Sequence, residues 1–472
     1  MIVCGLDLGT TTVTGLLWDG AQGRVLALAR RPNDAARPVA RPTRAEQDPD
    51  RLYDLALALL AELAPGAGGA GIDALALTGQ KHGLLCADAH LRPLTPLISW
   101  QDRRTTEPLA GEGGPTMLDR LHARLEGLDW RPNGCRIRHG YGAATLFWLA
   151  HSGALPPGTR TTCTAAGWLA ARLTGQPPAT DPTFAASWGL YDLVHGRWHA
   201  DFVRRLGLDA QLLPPVRPSG QRLGGLAPPV AGRVGLPAGL PVHNPLGDTQ
   251  ASFLGALESI RPPDRGEYLP TEAVFVNLGT GGQVCWAVPG FEAPGEAVET
   301  RPLPGGGHVL RVGASLCGGA AYAWLNHTVR AWLAEFGVQA AEEEVYERLN
   351  ALAALHEDTG GLRVRPTFLG VRGDPAVGGG AIEGITPGNM ALGALARATL
   401  DGIVEELYGL YAGHGGRLAG HTHLLAAGGG VWQNPLLAEI LAGRFALPVQ
   451  VVAQRETAAL GAVAWTAGLA PA

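Results

Sequence analysis

Apolar and β-branched residues at the start of the chain predict two strands joined by a tight turn. The apolar runs cover residues 1–8 and 13–18, and small residues fill positions 9–12. Residues 48–63 then follow helical spacing with leucines on one side, and residues 72–77 form a short apolar run. Strands that alternate with helices in this way are typical of α/β proteins.

The second half of the chain repeats this opening pattern. Apolar runs at residues 273–276 and 283–288 predict strands on either side of a turn at 277–282. That turn reads Asn-Leu-Gly-Thr-Gly, an echo of Asp-Leu-Gly-Thr-Thr at residues 7–11. A repeat at about half the chain length predicts two domains of related design, each presenting one loop. Further helices are predicted over 397–410 and 434–445, strands over 424–427 and 449–452, and a polar connection at 261–266.

Composition narrows the possible classes of protein. Hydrophobic residues make up 46% of the 472 residues and charged residues 17%, which excludes intrinsic disorder and allows two large domains. The net charge of −5 gives no reason to expect nucleic acid as a partner. Six scattered cysteines without a Cys-x-x-Cys pair favour neither zinc nor a disulfide framework. Without a signal-peptide pattern or a membrane span, a cytoplasmic protein is expected.

The basic residues are almost all arginine, and Lys81 is the single lysine. A compact ammonium and a planar guanidinium differ in shape, so one retained lysine can mark a position where arginine does not fit. Chance retention is an equally good explanation from the sequence alone.

The loop after Asp7 has the composition of a phosphate-binding turn. Glycine lets backbone N–H groups approach phosphate oxygens, and threonine hydroxyls add donors. The carboxylate of Asp7, at the end of a predicted strand, suits a hydrated Mg²⁺. A polar β-turn is the alternative interpretation, but the echo at residues 277–281 favours two facing loops that clamp one triphosphate.

Two other loops combine amide, imidazole, indole and charged groups, at residues 80–83 and 100–104. This mixture suits a polyhydroxyl ligand, whose carbon skeleton packs on rings while its hydroxyls bind polar groups. A structural salt bridge at Asp102 and a core position for His82 are the alternatives left open.

Three remaining motifs have ordinary structural explanations. Asp248 is a candidate general base for a hydroxyl nucleophile, although the tetrapeptide 247–250 by itself favours a helix cap. The glycines at 428–430 would let a flat ring lie on the backbone, or simply form a tight turn. A Gly-x-Gly-x-x-Gly pattern at 66–71 follows a predicted helix rather than a strand, so it is interpreted as a loop.

Taken in order, these motifs resemble those of the FGGY family of carbohydrate kinases, which belongs with actin and the heat-shock chaperone ATPases to one superfamily. The resemblance covers nearly the whole chain. It implies an α/β fold of two actin-like (ribonuclease H-like) domains, residues 1–255 and 256–472, with ATP and a sugar bound in the cleft between them. Further segments that carry it are residues 47–49, 140–149, 185–189, 247–252, 313–319 and 456–462.

The resemblance also implies roles for single residues. Asp248 would be catalytic and take the proton from the terminal hydroxyl of an open-chain ketose, and Asp7 would hold Mg²⁺ through water. The substrate-binding residues would be Gln80, Lys81, His82, Trp100, Gln101, Asp102, Asp248 and Gln250. The phosphate- and ATP-binding residues would be Gly9, Thr10, Thr11, Thr12, Gly279, Thr280, Gly281, Gly318, Gly428, Gly429 and Asn434.

The expected acceptor is sedoheptulose, with xylulose or another ketose as the alternative. Lys81 departs from the family pattern, which usually has methionine here, so this position bears on the choice of sugar. Two other classes of protein are alternatives. An actin-like regulatory ATPase would not need Asp248, and a sugar sensor without catalytic activity would have lost one of the acidic residues. The oligomeric state stays open, with a homodimer as one arrangement.

Overall fold

The computed structural model describes residues 1–109, 111, 113–260, 270–370, 379–418 and 420–468, which form two α/β halves. Strands of the first half are β1 (Ile2–Leu8), β2 (Thr12–Asp19), β3 (Arg24–Pro32), β4 (Glu46–Gln47), β5 (Ala74–Gly79), β6 (Leu85–Ala87), β7 (Leu97–Ile98), β8 (Thr161–Cys163), β9 (Tyr191–Asp192), β10 (Arg197–Trp198), β11 (Arg222–Gly225), β12 (Pro241–His243) and β13 (Leu246–Gly247). Its helices are α1 (Pro49–Leu63), α2 (Met117–Leu125), α3 (Gly142–His151), α4 (Ala165–Thr174), α5 (Pro182–Ser187), α6 (Ala200–Leu206), α7 (Pro228–Val234) and α8 (Asp248–Ser259).

The second half also contains both strands and helices. Its strands are β14 (Ala273–Leu278), β15 (Gly282–Pro289), β16 (Val298–Pro302), β17 (His308–Ser315), β18 (Arg363–Arg365), β19 (Ala381–Glu383), β20 (His423–Ala427) and β21 (Val449–Val451). Its helices are α9 (Gly319–Glu335), α10 (Glu342–Ala354), α11 (Leu392–Ala412), α12 (Gly429–Gln433), α13 (Pro435–Phe445) and α14 (Thr457–Gly468). The connection predicted at 261–266 lies outside the described residues, and the pattern at 66–71 lies, as expected, between α1 and β5.

The two large sheets share one topology, which confirms the repeat seen in the sequence. The first sheet has the order β11-β12-β5-β1-β2-β3, and the second has the order β16-β17-β15-β14-β20-β21. In each, an antiparallel hairpin (β1–β2 or β14–β15) continues into a parallel neighbour, β5 or β20. When each sheet is followed from its antiparallel edge, the strands of the two sheets correspond in order: the first has β3-β2-β1-β5-β12, and the second has β17-β15-β14-β20-β21.

Each half has its own apolar core. In the first half, α1 begins after the capping side chain of Asp48 and buries the leucine face that its spacing predicts against β1, β2 and β3. A separate core is formed by residues between Leu84 and Leu213 and includes Phe147 and Trp188. Among the helices in the described ranges, none is long and apolar enough to cross a bilayer.

Helices α8 and α14 join the halves. Although α14 is the last helix, it packs on β1, β2 and β5 of the first sheet and crosses α8, which in turn contacts β14 and β20. The crossing is close because both helices have glycine there: a Cβ on Gly461 would lie 1.8 Å from the carbonyl oxygen of Ala251, and a Cβ on Gly255 would lie 1.9 Å from that of Thr457. The domain boundary predicted after residue 255 falls inside α8, and it stays a prediction.

The close crossing predicts that replacing its glycine by alanine lowers stability, whereas the same replacement at a helix glycine with open space around it does not. Gly461→Ala is expected to lower the free energy of unfolding by about 1–3 kcal/mol, because the added methyl group overpacks a backbone contact. Gly409→Ala in α11 is the control, since a Cβ there meets nothing within 4 Å. It is expected to be neutral or stabilising by up to ~1 kcal/mol. Urea unfolding of both variants checks this, and equal midpoints would contradict it.

Candidate active site

The ends of three parallel strands bring the main acidic and polar candidates together. In the first sheet Asp7 is level with Thr78 of β5, and Gly247 at the end of β13 is level with Gly79. The carboxyl ends of parallel strands meet at one sheet edge, where ligands of open α/β sheets bind. Asp7, the loop beginning at Gln80, and Asp248 therefore emerge at the same edge.

Asp248 is the first residue of α8, and Gly247 is its N-cap. The alternative in which Asp248 itself caps the helix is therefore wrong by one position. Its Oδ1 accepts a hydrogen bond from the backbone N–H of Thr249 at 2.7 Å and lies 3.8 Å from Nζ of Lys81. The side chain is 38% exposed, in contrast to the buried Lys81. The carboxylate is thus anchored by the chain on one side and open to a ligand on the other.

Asp7 is a carboxylate without a full set of partners. Its Oδ1 is buried and accepts no hydrogen bond from the residues that the structure describes. Burial and, to a smaller extent, the nearby carboxylates of Asp248 and Glu456 together raise the pKa of Asp7 to about 8. An unpartnered oxygen in a group of three carboxylates fits a divalent cation, which would compensate the shared negative charge.

Glu456 is a member of this acidic group that the sequence interpretation did not name as a site residue. Its carboxylate accepts a hydrogen bond from Thr14 Oγ1 at 2.9 Å and pairs with Arg30 at 2.6 Å. The residue immediately precedes α14, which returns to the first sheet. Its only sequence signal was its place at the head of the 456–462 motif.

The first phosphate loop is held in shape by the chain itself. Gly9 has its carbonyl bonded by the amide of Asn33 at 2.8 Å, and a Cβ at position 9 would lie 2.6 Å from the carbonyl oxygen of Thr12. Thr10 accepts a hydrogen bond from Nε1 of Trp100 at 2.9 Å. Thr11 is exposed. The phosphate loop and one predicted sugar loop are therefore in direct contact.

The predicted sugar loops contain both open and fully bonded side chains. Trp100 is 44% exposed and Gln101 is also exposed, whereas Gln80 is buried and donates to Gln47 at 2.8 Å. The carboxylate of Asp102 is buried and accepts hydrogen bonds from the Arg104 guanidinium and two backbone N–H groups. These contacts favour the structural salt bridge over a sugar contact for Asp102.

His82 is stacked on Tyr141, with ring centroids 4.3 Å apart, and its Nδ1 lies 2.6 Å from the carbonyl oxygen of Ser187. The residue has a φ of 70°, in the left-handed region that few non-glycine residues adopt. It is only partly buried. Its ring is thus held in place by Tyr141 and Ser187 without being fully buried in a core.

In the second half, the glycines of the 279–281 turn pack against the glycines at the start of α9. The N–H of Gly319 donates to the carbonyl of Gly279 and that of Ala320 to Thr280, both at 2.9 Å. A Cβ on Gly318 would lie 2.6 Å from the carbonyl oxygen of Gly281. The Gly279–Gly281 turn and the start of α9 therefore sit in backbone contact.

The first two glycines after β20 have different surroundings. Gly428 has a φ of 101°, and a Cβ there would lie 2.4 Å from the carbonyl oxygen of Leu278, so only glycine fits. Gly429 faces open space instead. Asn434 is buried, caps α13 through Leu436 N–H and donates to Asn350 at 2.9 Å, so its amide is already engaged within the protein.

A buried charge network connects the two halves, and sequence reasoning missed it. Glu299 and Arg301 on β16 pair at 2.6 Å, and Arg301 also donates to the carbonyl oxygen of Ala186. Tyr141 donates a short hydrogen bond to Glu299. Burial lowers the pKa of Arg301, but the carboxylate of Glu299 and the other groups around it more than offset this effect, so the guanidinium stays charged.

The comparisons with known proteins agree with this fold. The FGGY carbohydrate kinase N-terminal domain matches residues 2–255, and the C-terminal domain of the same family matches residues 275–469. The chain belongs to the FGGY family of carbohydrate kinases. It is an ATP-dependent phosphotransferase, which sets aside the regulatory ATPase and the sensor.

Relatives of several specificities are similar to this chain. A glycerol kinase from Thermus brockianus is 32% identical over 98% of this chain and 89% of the relative. A sedoheptulokinase from Mus musculus is 28% identical over 95% of this chain and 94% of the relative. The crystal structure of a xylulose kinase from Rhodospirillum rubrum superposes with a TM-score of 0.84 at 27% identity, covering 99% of this chain and 90% of that one. These relatives are named for three different acceptors.

Proposed function

We propose that the protein transfers the γ-phosphoryl group of ATP to the terminal primary hydroxyl of a ketose, with sedoheptulose as the first candidate and xylulose as the alternative. The observation that carries this proposal is the position of Asp248, a partly exposed carboxylate at the strand edge shared with Asp7. The sedoheptulokinase relatives, which match nearly end to end, support sedoheptulose. Glycerol is the second candidate, because the glycerol kinase from Thermus brockianus is 32% identical.

The chemistry assigns distinct tasks to the chain's own residues. Asp248 accepts the proton of the attacking hydroxyl as the bond to phosphorus forms. Backbone N–H groups and hydroxyls of the loops at residues 9–12 and 279–281 stabilise charge on the transferring group. Closure of the two halves excludes water, which would otherwise compete as the acceptor.

A divalent metal fits the site, and Asp7 with its unpartnered oxygen is the residue that would hold it. The three carboxylates act on one another through their charges, but no three metal-ligating side chains in the described part of the chain are placed to bind one ion directly. Mg²⁺ does not need three such ligands, because it is usually bound by one or two carboxylates, waters and substrate phosphates. When bound, it would neutralise charge on the phosphates.

ADP release with Mg-ATP tests the acceptor. The panel is sedoheptulose, xylulose, ribulose, fructose and glycerol, with a blank that lacks sugar and a parallel Asp248→Asn preparation to detect contaminating kinases. Release with sedoheptulose that exceeds the others supports the first candidate. Release with glycerol or another member replaces the substrate and keeps the reaction. Release no greater than the blank with every member would overturn the proposed function.

A further inference from the structure

Helix α5 has a buried aspartate as its N-cap. The helix packs beside β13, the strand that ends at Gly247, and its cap Asp181 accepts a hydrogen bond from Phe184 N–H at 2.8 Å. Neither Asp181 nor Thr183, in the first turn of α5, has any exposed surface. A carboxylate is rarely buried so completely unless its neighbours compensate the charge. The other partners of Asp181 must therefore supply that compensation.

Two hydroxyl groups complete the surroundings of the Asp181 carboxylate. Oγ1 of Thr183 lies 2.8 Å from both carboxylate oxygens, and Oγ of Ser219 lies 2.5 Å from Oδ2. Burial raises the pKa of Asp181 to about 6, and the hydrogen bonds from Ser219, Phe184 N–H and Thr183 keep it from rising further. Above that pH the carboxylate is ionised, and an ionised carboxylate can only accept hydrogen bonds.

The Thr183 hydroxyl links this carboxylate to the backbone at the start of α8. Its Oγ1 accepts a hydrogen bond from Gly247 N–H at 2.7 Å. A hydroxyl has one proton to donate, and the Asp181 carboxylate takes it, so a lone pair of Oγ1 is left facing Gly247 N–H. The direction of both hydrogen bonds is thereby fixed. We refer to Gly247 N–H, the Thr183 hydroxyl and the Asp181 carboxylate as the α5 hydrogen-bond chain.

Gly247 is tightly enclosed where this chain reaches it. A Cβ at this position would lie 2.7 Å from Cδ of Lys81, 3.1 Å from Oγ1 of Thr183 and 3.2 Å from Oε1 of Gln250. As the N-cap of α8, glycine also has no side chain with which to cap the helix. The backbone at this point is therefore held by its neighbours, and Thr183 provides the hydrogen bond to its N–H.

The next residue along the chain is Asp248, the proposed base. Its Oδ1 is bonded to Thr249 N–H at 2.7 Å, and the peptide before it is bonded to Thr183. Asp248 is thus held on both sides along the backbone. A general base must lie within hydrogen-bond reach of the proton that it takes, and a displacement of about 1 Å can lower the rate by about 100-fold.

We propose that Asp181 and Thr183 are positioning residues that hold Asp248 in the orientation required to take the proton of the acceptor. They act through the α5 hydrogen-bond chain and do not touch the substrate. This inference rests on the proposed function, in which Asp248 is the base, and it adds to that function two buried residues outside the acceptor-binding loops.

The first test removes the hydroxyl while keeping the shape of the side chain. Thr183→Val is expected to lower kcat by about 10- to 100-fold, because the base is displaced. The KM values for the acceptor and for ATP should stay within about threefold, because the binding loops are unchanged. Thr183→Ser keeps the hydroxyl and should restore kcat to within about threefold of wild type. Steady-state kinetics with the acceptor identified by the panel measures this, and urea unfolding verifies that each variant is folded in the assay.

The matched control is Thr164→Val. Thr164 is the buried N-cap of α4, and its Oγ1 accepts a hydrogen bond from Gly167 N–H at 3.1 Å. This variant loses the same kind of contact in the same half of the protein, so its urea midpoint should fall while its kcat stays within about twofold of wild type. An equal loss of kcat in the two valine variants would overturn the positioning role.

A double-mutant cycle tests the order of the chain. Asp181→Asn still caps α5, but its amide can donate to Thr183 and turn the hydroxyl away from its present orientation. It is expected to lower kcat by about tenfold. The double variant with Thr183→Val should be no slower than Thr183→Val alone, because no hydroxyl remains to be oriented. Losses that multiply, or a wild-type kcat in Asp181→Asn, would contradict the chain, and the second outcome does so even if Thr183→Val fails to fold.

The outcomes separate the two proposals. A wild-type enzyme that phosphorylates no member of the panel overturns the proposed function and this inference with it. An active wild type whose kcat is unchanged in Thr183→Val overturns the inference alone. A loss of kcat that is restored in Thr183→Ser, is absent in Thr164→Val and does not multiply in the double variant supports the inference.

Discussion

Replacing Asp248 by asparagine is expected to lower kcat by about 10²- to 10⁴-fold, the range that a general base contributes. The amide keeps the size of the side chain and can still accept a hydrogen bond from Thr249 N–H, but it cannot take the proton of the attacking hydroxyl. The affinity for ATP should stay nearly unchanged, because the nucleotide loops lie on other strands. Steady-state kinetics with the preferred acceptor, and ATP binding by calorimetry, measure the two effects.

The control for this variant is Asp201→Asn. Asp201 also lies in the first turn of a helix, α6, and its surface ion pair with Arg204 contributes little. Any loss in Asp248→Asn that comes only from the helix terminus should appear in both variants. A kcat within threefold of wild type for Asp248→Asn would remove this residue as the base.

Asp7→Asn is expected to raise the Mg²⁺ concentration needed for half-maximal activity by about 10- to 100-fold, the usual effect of removing a residue that holds a metal through water. The substitution removes one of three neighbouring carboxylates, so the negative charge that attracts the cation falls. Titration of activity with Mg²⁺ at saturating ATP measures the change.

The matched control is Asp73→Asn at the opposite end of β1, where the carboxylate accepts a hydrogen bond from Ile2 N–H at 2.7 Å. This variant should keep the wild-type Mg²⁺ curve, although it too removes an aspartate that bonds the same strand. Superimposable curves for the Asp7 variant and wild type would refute a metal role for Asp7.

Local sequence patterns were sufficient to predict the strands β1, β2, β5, β14, β15, β20 and β21 and the two glycine turns, because these features depend on residues close together in the chain. A shared site for Asp7 and Asp248 was expected only from the resemblance to a family, because strands that are distant in the sequence bring the two residues to one sheet edge. Local patterns could not show whether a polar side chain is open or already bonded. Asp102 and Asn434 occur in loops that look suited to ligands, yet both are engaged within the protein. The contact of Tyr141 with Glu299 spans 158 residues, so no local pattern contains it.

The return of α14 to the first sheet constrains how the chain can fold as it leaves the ribosome. Val3 and Leu16 share one apolar cluster with Ala459 and Val463, so the earliest strands complete their packing only after the last helix has been synthesised. Through most of translation this face of the nascent chain stays uncovered and needs protection from aggregation. A fragment that stops before residue 457 would keep that face bare, and a separately supplied α14 peptide would be the natural means of restoring its solubility.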